Sequence, residues 1–223
     1  MFTRIENFLQ PTQLVDWVSR IENLTWEDGA RTAGAGKKRK NNEQLTPATK
    51  EAVPALQLAM QHLMNHPHLK AWAEPRRIAR IMFARYGEGM FYGSHNDAPI
   101  THFQALPARA DISFTIFLND PSEYEGGELV LESPLGECVA KEPAGTIVLY
   151  DTGLRHRVDP ITSGTRLVAV GWIESLIRSP EAREILRDID QALNALALAD
   201  NDGEDTIALR RARANLLRMW AET

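Results

Sequence analysis

Two histidines and one aspartate have the residue types and spacing of a metal site. His95 and Asp97 flank a single asparagine in the segment FYGSHNDAPI, and His156 follows much later in LRHRVDP, just after the strand-like run GTIVLY. In an extended strand, side chains two positions apart point to the same face, so His95 and Asp97 can reach one point while Asn96 turns away. Taken alone, the pair also fits a polar turn in which His95 binds a backbone carbonyl and Asp97 makes a turn bond.

The chemistry of such a site depends on how many positions around the metal stay open. Two imidazoles and one carboxylate on one side of a cation leave the opposite positions free, an arrangement typical of non-haem iron(II) oxygenases. A structural zinc site would be closed by four protein ligands and would usually use cysteine, of which this chain has one. The three residues therefore predict a reactive metal centre rather than a structural one.

Arg166 is a fourth residue that fits this site. It begins the apolar run RLVAVGWIE, so it can face inward across a barrel from the predicted metal. A buried guanidinium requires an anion, and a dicarboxylate co-substrate offers one that arginine can bind through two parallel hydrogen bonds. We therefore expect Arg166 to bind a carboxylate of a co-substrate.

The remaining histidines lack such partners. His66 and His68 form a His-x-His pair in MNHPHLKAW, where a helix is expected to end before prolines, without a carboxylate or an arginine nearby in sequence. His62 is equally ordinary. His102 lies in PITHFQALPARA, directly after the predicted ligands, where it can approach a substrate. We expect no functional metal at His66 and His68.

The basic segment GAGKKRK does not form a phosphate-binding loop. Arg31 stands where the pattern requires its first glycine, and Lys38 replaces its final Ser or Thr. Glycines beside consecutive cations favour a mobile, solvated loop. A second interpretation is a basic flap near the active site, formed by Lys37, Lys38, Arg39 and Lys40, that binds an acidic substrate.

Composition and charge limit the classes of function. The chain has 223 residues, 43% hydrophobic and 25% charged, with a formal net charge of -5, which argues against a nucleic-acid partner. No apolar run has signal-peptide length, and none approaches the roughly 18 residues of a membrane span. The single cysteine, Cys138, suits a reducing compartment. We predict a cytoplasmic protein with one sizeable domain and no membrane partner.

Residues 1–76 are predicted to form helices that brace a sheet. One amphipathic helix covers residues 11–24, and a second opens near Pro47, although Pro54 should kink or delay it. The glycine-rich and basic loop 28–42 lies between them.

Residues 77–176 have the sequence pattern of a β domain. Five short β-branched or aromatic runs are separated by Gly, Pro, Asn and Asp: RIARIMFARY, ISFTIFL, GELVLE, GTIVLY and RLVAVGWIE. Strands that follow one another without intervening helices favour an antiparallel sandwich or jelly roll over βαβ units. The predicted fold class is α+β, with a double-stranded β-helix, or jelly roll, as its core.

Residues 177–223 return to helical periodicity. Ser179 and Pro180 supply an N-cap and a first-turn proline, and residues 201–203 break the chain before a last helix that ends near Trp220. We predict a C-terminal helical hairpin that docks on the β core or on a second subunit. A homodimer through these helices is therefore a candidate assembly.

The metal motif and its context resemble a known family. The run YGEGMFYGSHND fits the pattern Y-x-x-G-x-x-Y-x-x-H-x-D of prolyl-hydroxylase-like iron(II)/2-oxoglutarate dioxygenases, and the order H-x-D, distant H, then R also fits. The resemblance is closer to the bacterial PKHD-type hydroxylases, often found beside siderophore-receptor genes. It covers nearly the whole chain, because WEDGARTAG, KNNEQL, RADISFTIFLNDPSEYEGGELVLE, GTIVLYDTGLRHRVDPITSGTR and the tail ending NLLRMW all look like this family.

The resemblance implies a role for each site residue. His95, Asp97 and His156 would bind Fe(II), Arg166 would pair with the distal carboxylate of 2-oxoglutarate, and Tyr86 would hydrogen-bond this co-substrate. Tyr86 also fits a core tyrosine at a strand end. The implied reaction is hydroxylation with O2, in which 2-oxoglutarate becomes succinate and CO2. L-ascorbate is a further candidate cofactor.

The identity of the substrate stays open at this point. Asn96, Arg155 and Ser163 depart from the family pattern and bear on the substrate rather than on the metal. The family's link to iron uptake indicates a siderophore or another iron-related small molecule. A protein side chain is the alternative, since prolyl and lysyl hydroxylases share this core.

Two other classes of protein fit the same three ligands. One is a cupin-like metal-dependent hydrolase or isomerase that uses zinc or manganese, and the other is a non-catalytic binding module. Metal analysis and 2-oxoglutarate binding separate the first from an oxygenase, because a hydrolase has no use for Arg166 as a diacid clamp.

Overall fold

The computed structural model describes residues 2–33, 38–103, 106–199 and 203–222, which form antiparallel sheets and helices. The described helices are α1 (Pro11–Ser19), α2 (Val53–Asn65), α3 (Pro67–Ala73), α4 (Pro180–Leu198) and α5 (Glu204–Trp220). The described strands are β1 (Phe2–Ile5), β2 (Glu27–Asp28), β3 (Lys40–Asn41), β4 (Glu43–Leu45), β5 (Pro75–Tyr86), β6 (Phe91–His95), β7 (Ile100–Phe103), β8 (Leu106–Arg109), β9 (Ile112–Phe117), β10 (Tyr124–Gly126), β11 (Leu129–Ser133), β12 (Gly136–Ala140), β13 (Ile147–Asp151), β14 (Arg155–Val158), β15 (Ile161–Gly164) and β16 (Arg166–Ser175).

Two antiparallel sheets carry the β domain. The larger has the order β1-β13-β9-β16-β5-β4-β2, and the smaller has the order β12-β11-β14-β6-β3. Two short ribbons, β10-β15 and β7-β8, accompany them. From β5 onward the chain passes back and forth between the two sheets, with β5, β9, β13 and β16 in the larger and β6, β11 and β14 in the smaller, as in a double-stranded β-helix. The predicted α+β fold with a jelly-roll core is confirmed.

The larger sheet is covered on both faces because it separates two cores. On one face Phe83 packs with Trp17 of α1 and Leu63 of α2. On the other face, Ala84 and Tyr86 of β5 pack with residues of the smaller sheet. Successive side chains of a strand point to opposite faces, so β5 serves both cores at once.

The N-terminal helices brace this sheet with boundaries that differ from the predicted ones. The first was expected over residues 11–24 but ends at Ser19, because the chain then turns and buries Ile21. The second begins at Val53, and Pro54 lies in its first turn. A proline there costs nothing, because its missing N–H would have no partner in the helix.

The basic loop 28–42 is not solvated throughout. Lys40 and Asn41 form β3, Lys40 pairs in register with Tyr92 of β6, and the Lys40 side chain is only 8% exposed. The prediction of a solvated loop is therefore wrong at Lys40, because strand pairing holds it inside. Residues 34–37, which include one lysine of the proposed flap, lie outside the described residues.

The C-terminal hairpin is confirmed. The Ala182 N–H donates to Ser179 Oγ at 3.1 Å, which caps α4, and α4 packs on α5. A bridge between Ile177 and Ala221 ties the end of the hairpin to its start. No helix in the described part of the chain is long and apolar enough to cross a membrane.

Candidate metal centre

His95, Asp97 and His156 meet at one point. One potential ligand atom of each lies within 4.8 Å of the others. His95 is the last residue of β6 and His156 lies in β14, and the two are register partners. Asp97 lies beyond the end of β6, so the prediction that His95 and Asp97 share one strand is wrong. The three side chains converge nevertheless.

Asp97 is oriented by the larger sheet rather than by its own strand. Ser113 Oγ donates to Asp97 Oδ2 at 2.8 Å, and Trp172 Nε1 donates to the same oxygen at 2.9 Å. The Asn96 side chain turns away and donates to the Gly153 carbonyl at 2.9 Å. These contacts draw the chain away from the smaller sheet after His95 and hold the Asp97 carboxylate in a fixed position, as the supporting hydrogen bonds of a potential metal ligand do.

The hydrogen bonds of the two histidines select one tautomer. His95 Nδ1 lies 2.9 Å from the Gly93 carbonyl, and His156 Nδ1 lies 3.0 Å from the Leu154 carbonyl. A carbonyl can only accept, so each Nδ1 carries the proton and each Nε2 offers a lone pair. Both Nε2 atoms lie 3.7 Å from an oxygen of Asp97. The residues present therefore fit a metal ion. The hydrogen bond from His95 to a backbone carbonyl agrees with metal binding, because it leaves the lone pair of Nε2 free.

The surroundings of His95 favour the neutral form that a metal binds. Burial and, to a smaller extent, the neighbouring His156 lower the pKa of His95 to about 4, although Asp97 opposes the shift. Tyr92 stacks on His95 with ring centroids 3.6 Å apart, and Tyr150 meets His156 edge-on at 5.1 Å. His95 is therefore ready to bind a metal at neutral pH.

Arg166 is a buried cation that faces this centre. Its side chain is 1% exposed, and its guanidinium carbon lies 5.2 Å from the Tyr86 ring centroid and 5.3 Å from that of Phe117. Among the described residues no carboxylate forms an ion pair with it, and its Nε has no hydrogen-bond partner. Burying an unpaired charge is costly, so Arg166 is arranged to receive an anion from outside the chain. A carboxylate of 2-oxoglutarate fits this requirement.

One cavity of about 420 Å³ joins these groups. Its wall includes the three potential metal ligands, Arg166 and the predicted Tyr86, and His102 also lies there, where the sequence placed it. The wall also includes residues that sequence reasoning missed: Gln44, Arg80, Ser113, Tyr150 and Trp172. The period of two along β5, from Arg80 through Met82 to Tyr86, is the one sequence signal that could have indicated such a residue.

The other histidine pair lies elsewhere. His66 packs on Phe8 with ring centroids 4.1 Å apart, between His62 and His68. Within the described residues, no carboxylate or cysteine completes a three-ligand group there. This cluster is part of the packing between the N-terminal segment and α2.

Models of known families match two segments of the chain. The model of the 2OG-Fe(II) oxygenase superfamily matches residues 81–174, and the model of the PKHD-type hydroxylase C-terminal domain matches residues 181–222. A PKHD-type hydroxylase of Picosynechococcus sp. is 39% identical over 223 residues, which covers 100% of both chains. A PKHD-type hydroxylase of Parvibaculum lavamentivorans is 46% identical over 198 residues, 88% of each chain.

Solved structures share the fold at low sequence identity. The crystal structure of a Pseudomonas putida prolyl-4-hydroxylase is similar with a TM-score of 0.52 and 21% identity, covering 78% of this chain and 92% of that one. At this level of identity the similarity concerns the jelly roll.

Proposed function

On the premise that this chain belongs to the PKHD-type hydroxylases of the 2OG-Fe(II) oxygenase superfamily, we propose that it hydroxylates a siderophore or another iron-related small molecule. It is a 2-oxoglutarate-dependent dioxygenase, and its family uses Fe(II), 2-oxoglutarate and O2. The observation that carries the proposal is the single cavity in which two Nε2 atoms, one fixed carboxylate and one unpaired guanidinium meet.

The residues of the cavity divide the work. His95, Asp97 and His156 would hold the iron, and Asp97 would offset one of its two positive charges. When bound, the metal and 2-oxoglutarate supply the oxidation, and 2-oxoglutarate leaves as succinate and CO2. Arg166 would bind the distal carboxylate of 2-oxoglutarate. The chain's contribution is to position these groups and to shield them from water.

Tyr86 would bind the co-substrate beside Arg166. The two residues are register partners on β5 and β16, and the Tyr86 side chain is 4% exposed. Burial raises the pKa of the Tyr86 hydroxyl, so it stays protonated and able to donate. Tyr86 is thus both a core residue and a potential hydrogen-bond donor to 2-oxoglutarate.

The size of the cavity supports a small-molecule substrate. A volume of about 420 Å³ lies in the usual range for small-molecule sites. The resemblance seen in the sequence supports an iron-related compound. Family membership does not favour a cupin-like hydrolase or isomerase.

A turnover screen tests the substrate class. Protein loaded with Fe(II) is incubated with 2-oxoglutarate, O2 and either siderophores or proline- and lysine-containing peptides. Succinate release and the mass of each compound are then measured. We expect a small molecule to gain the mass of one oxygen atom. Oxygen incorporation into peptides alone would replace the proposal with hydroxylation of a protein side chain.

Three further parts of the proposal rest on the sequence. L-ascorbate would act as a reductant, which succinate release with and without ascorbate tests. The cytoplasm is the proposed location. A homodimer would form through α4 and α5, where Ile185, Ile207 and Met219 are exposed apolar side chains, and light scattering tests this assembly.

A further inference from the structure

Arg80 is a second arginine on the wall of the cavity. It lies on β5, opposite Trp172 of β16, and it shares a face of β5 with Met82 and Tyr86. Trp172 binds the predicted metal ligand Asp97, so Arg80 lies close to the metal centre. Its side chain is partly exposed, so this region of the cavity is open to a molecule from outside.

Arg80 differs from the other arginines of its strand. Arg77 pairs with Glu174 at 2.6 Å, and Arg85 pairs with Glu43 at 2.6 Å. Arg80 forms no ion pair and no side-chain hydrogen bond with any residue that the structure describes. Burial lowers the pKa of Arg80. The Arg80 guanidinium is therefore partly desolvated, and no described residue pairs with it.

Lys40 adds a second cation from another strand. Its Nζ donates to Thr32 Oγ1 at 2.8 Å and lies 4.8 Å from the Tyr92 ring centroid. Lys40 lines the same cavity and lies close enough to Arg80 for the two charges to repel each other. Within the described chain no carboxylate forms an ion pair with Lys40. Asp97 and Asp28 offset part of the Lys40 charge through space, and an anion held between Lys40 and Arg80 would compensate both cations.

This pair is distinct from the proposed clamp for 2-oxoglutarate. Arg166 is in register with Tyr86 at one end of the strand pair, and Arg80 is in register with Trp172 six residues away. At about 3.3 Å per residue, the Cα atoms of Arg80 and Tyr86 lie ~20 Å apart. Arg166 is buried and Arg80 is partly exposed, so the two arginines serve the closed and the open end of the cavity.

We propose that Arg80 and Lys40 form the binding site for an anionic group of the primary substrate, so that the hydroxylated molecule carries a carboxylate or a phosphate. The inference rests on the proposed function, because it assigns the substrate of that same site. Arg80 can bind such a group through two parallel hydrogen bonds, and Lys40 contributes a point charge. Hydroxylation would then occur at a carbon beside the metal while the anion is held at the open end.

The test uses the enzyme loaded with Mn(II) and saturated with 2-oxoglutarate, so that Arg166 is occupied. Benzoate, phenyl phosphate and neutral benzamide are the probes. The paramagnetic relaxation that Mn(II) causes in their aromatic protons reports binding beside the metal. We expect strong relaxation of at least one anion and little relaxation of benzamide, and the better of the two anions identifies the group as carboxylate or phosphate.

Variants connect the effect to Arg80. Arg80→Gln should weaken anion binding about ten- to a hundredfold, the range expected for lost charge-assisted hydrogen bonds, and Arg80→Lys should recover part of it. Arg85→Gln removes an equal charge from the same strand outside the cavity and should leave the relaxation unchanged. Circular dichroism confirms that each variant is folded.

Two results would overturn the inference. One is relaxation of benzamide as strong as that of the anions. The other is relaxation of the two anions that is absent in wild type, or that is as strong in Arg80→Gln as in wild type. Calorimetric binding of 2-oxoglutarate to the Mn(II) protein is measured first. If 2-oxoglutarate does not bind, the proposed function itself fails; if it binds and the probes show no charge preference, only the anionic subsite fails.

Discussion

His95 and His156 are register partners on adjacent antiparallel strands, with their ring centroids 4.3 Å apart. Each ring is tied through Nδ1 to the carbonyl two residues before it. Identical local geometry on two neighbouring strands therefore presents two Nε2 lone pairs to one point. The pairing of β6 with β14 therefore places the two histidines of the candidate metal centre.

Trp172 should tune metal affinity without being a ligand. Trp172→Phe removes the indole N–H that donates to Asp97 Oδ2 at 2.9 Å. Loss of such a supporting hydrogen bond typically costs ten- to a hundredfold in metal affinity, and we expect a loss of about that size, measured by competition with a metal chelator. Trp26→Phe is the matched control, because Trp26 Nε1 is buried without a hydrogen-bond partner in the described structure. Equal affinities of Trp172→Phe and wild type would contradict the role.

Arg166 should strengthen co-substrate binding and lower the stability of the protein without co-substrate. Arg166→Met should weaken 2-oxoglutarate binding at least about tenfold, because a charge-assisted pair is lost. It should also raise the free energy of unfolding without 2-oxoglutarate, because an unpaired buried charge is removed. Calorimetry and chemical denaturation measure the two effects.

The control for this substitution is another buried arginine. Arg183 is 2% exposed but pairs with Asp151 at 3.0 Å, so Arg183→Met should lower stability and leave 2-oxoglutarate binding intact. If Arg166→Met destabilises the protein as much as Arg183→Met does, Arg166 is a structural residue.

The histidine cluster around Phe8 should make stability depend on pH. Burial, then His62 and His68, lower the pKa of His66 from 6.5 to about 4. The unfolded chain therefore takes up the proton first, and this stability is fully present above about pH 6.5 and lost as the pH falls towards 4. Denaturation at pH 7.5 and 5 should show a larger loss of unfolding free energy in wild type than in His66→Gln. Equal losses would argue against the shift.

Gly171 should be intolerant of a side chain. A Cβ there would lie 2.2 Å from the Arg80 carbonyl oxygen and 2.7 Å from Phe114 Cζ. Gly171→Ala should therefore cost about 1–3 kcal/mol of unfolding free energy, measured by chemical denaturation. Gly153→Ala, where a Cβ meets no atom within 4 Å, should cost much less. Similar costs at both positions would contradict this packing.

Local pattern predicted five strands of the β domain, the C-terminal hairpin, and the residues His95, Asp97, His156 and Arg166, which the fold brings to one cavity. The period of two did not predict that Asp97 leaves its strand, because the donors that draw it out, Ser113 and Trp172, are distant in sequence. The sequence predicted a solvated Lys40 because its neighbours are cations. Its burial depends on strand pairing with Tyr92. Long-range pairing of this kind has no local signature.

Arg80 illustrates the same limit. In the segment RRIAR, Arg80 has the pattern of an ordinary surface charge. Arg77 on the same strand forms an ion pair with Glu174. The register with β16 and the position of the cavity show that Arg80 faces the cavity, where it pairs with none of the described residues. A charge without a partner is a property of the assembled fold, not of the segment.

The central claim is that His95, Asp97 and His156 hold a metal that binds 2-oxoglutarate. The most direct measurement is calorimetric titration of 2-oxoglutarate into the protein with and without Mn(II), in wild type and in Asp97→Ala and His156→Ala. The account predicts one 2-oxoglutarate per chain in wild type with metal, much weaker binding without metal, and loss of metal-dependent binding in both variants. Equal 2-oxoglutarate binding with and without metal, or unchanged metal-dependent binding in either variant, would contradict it.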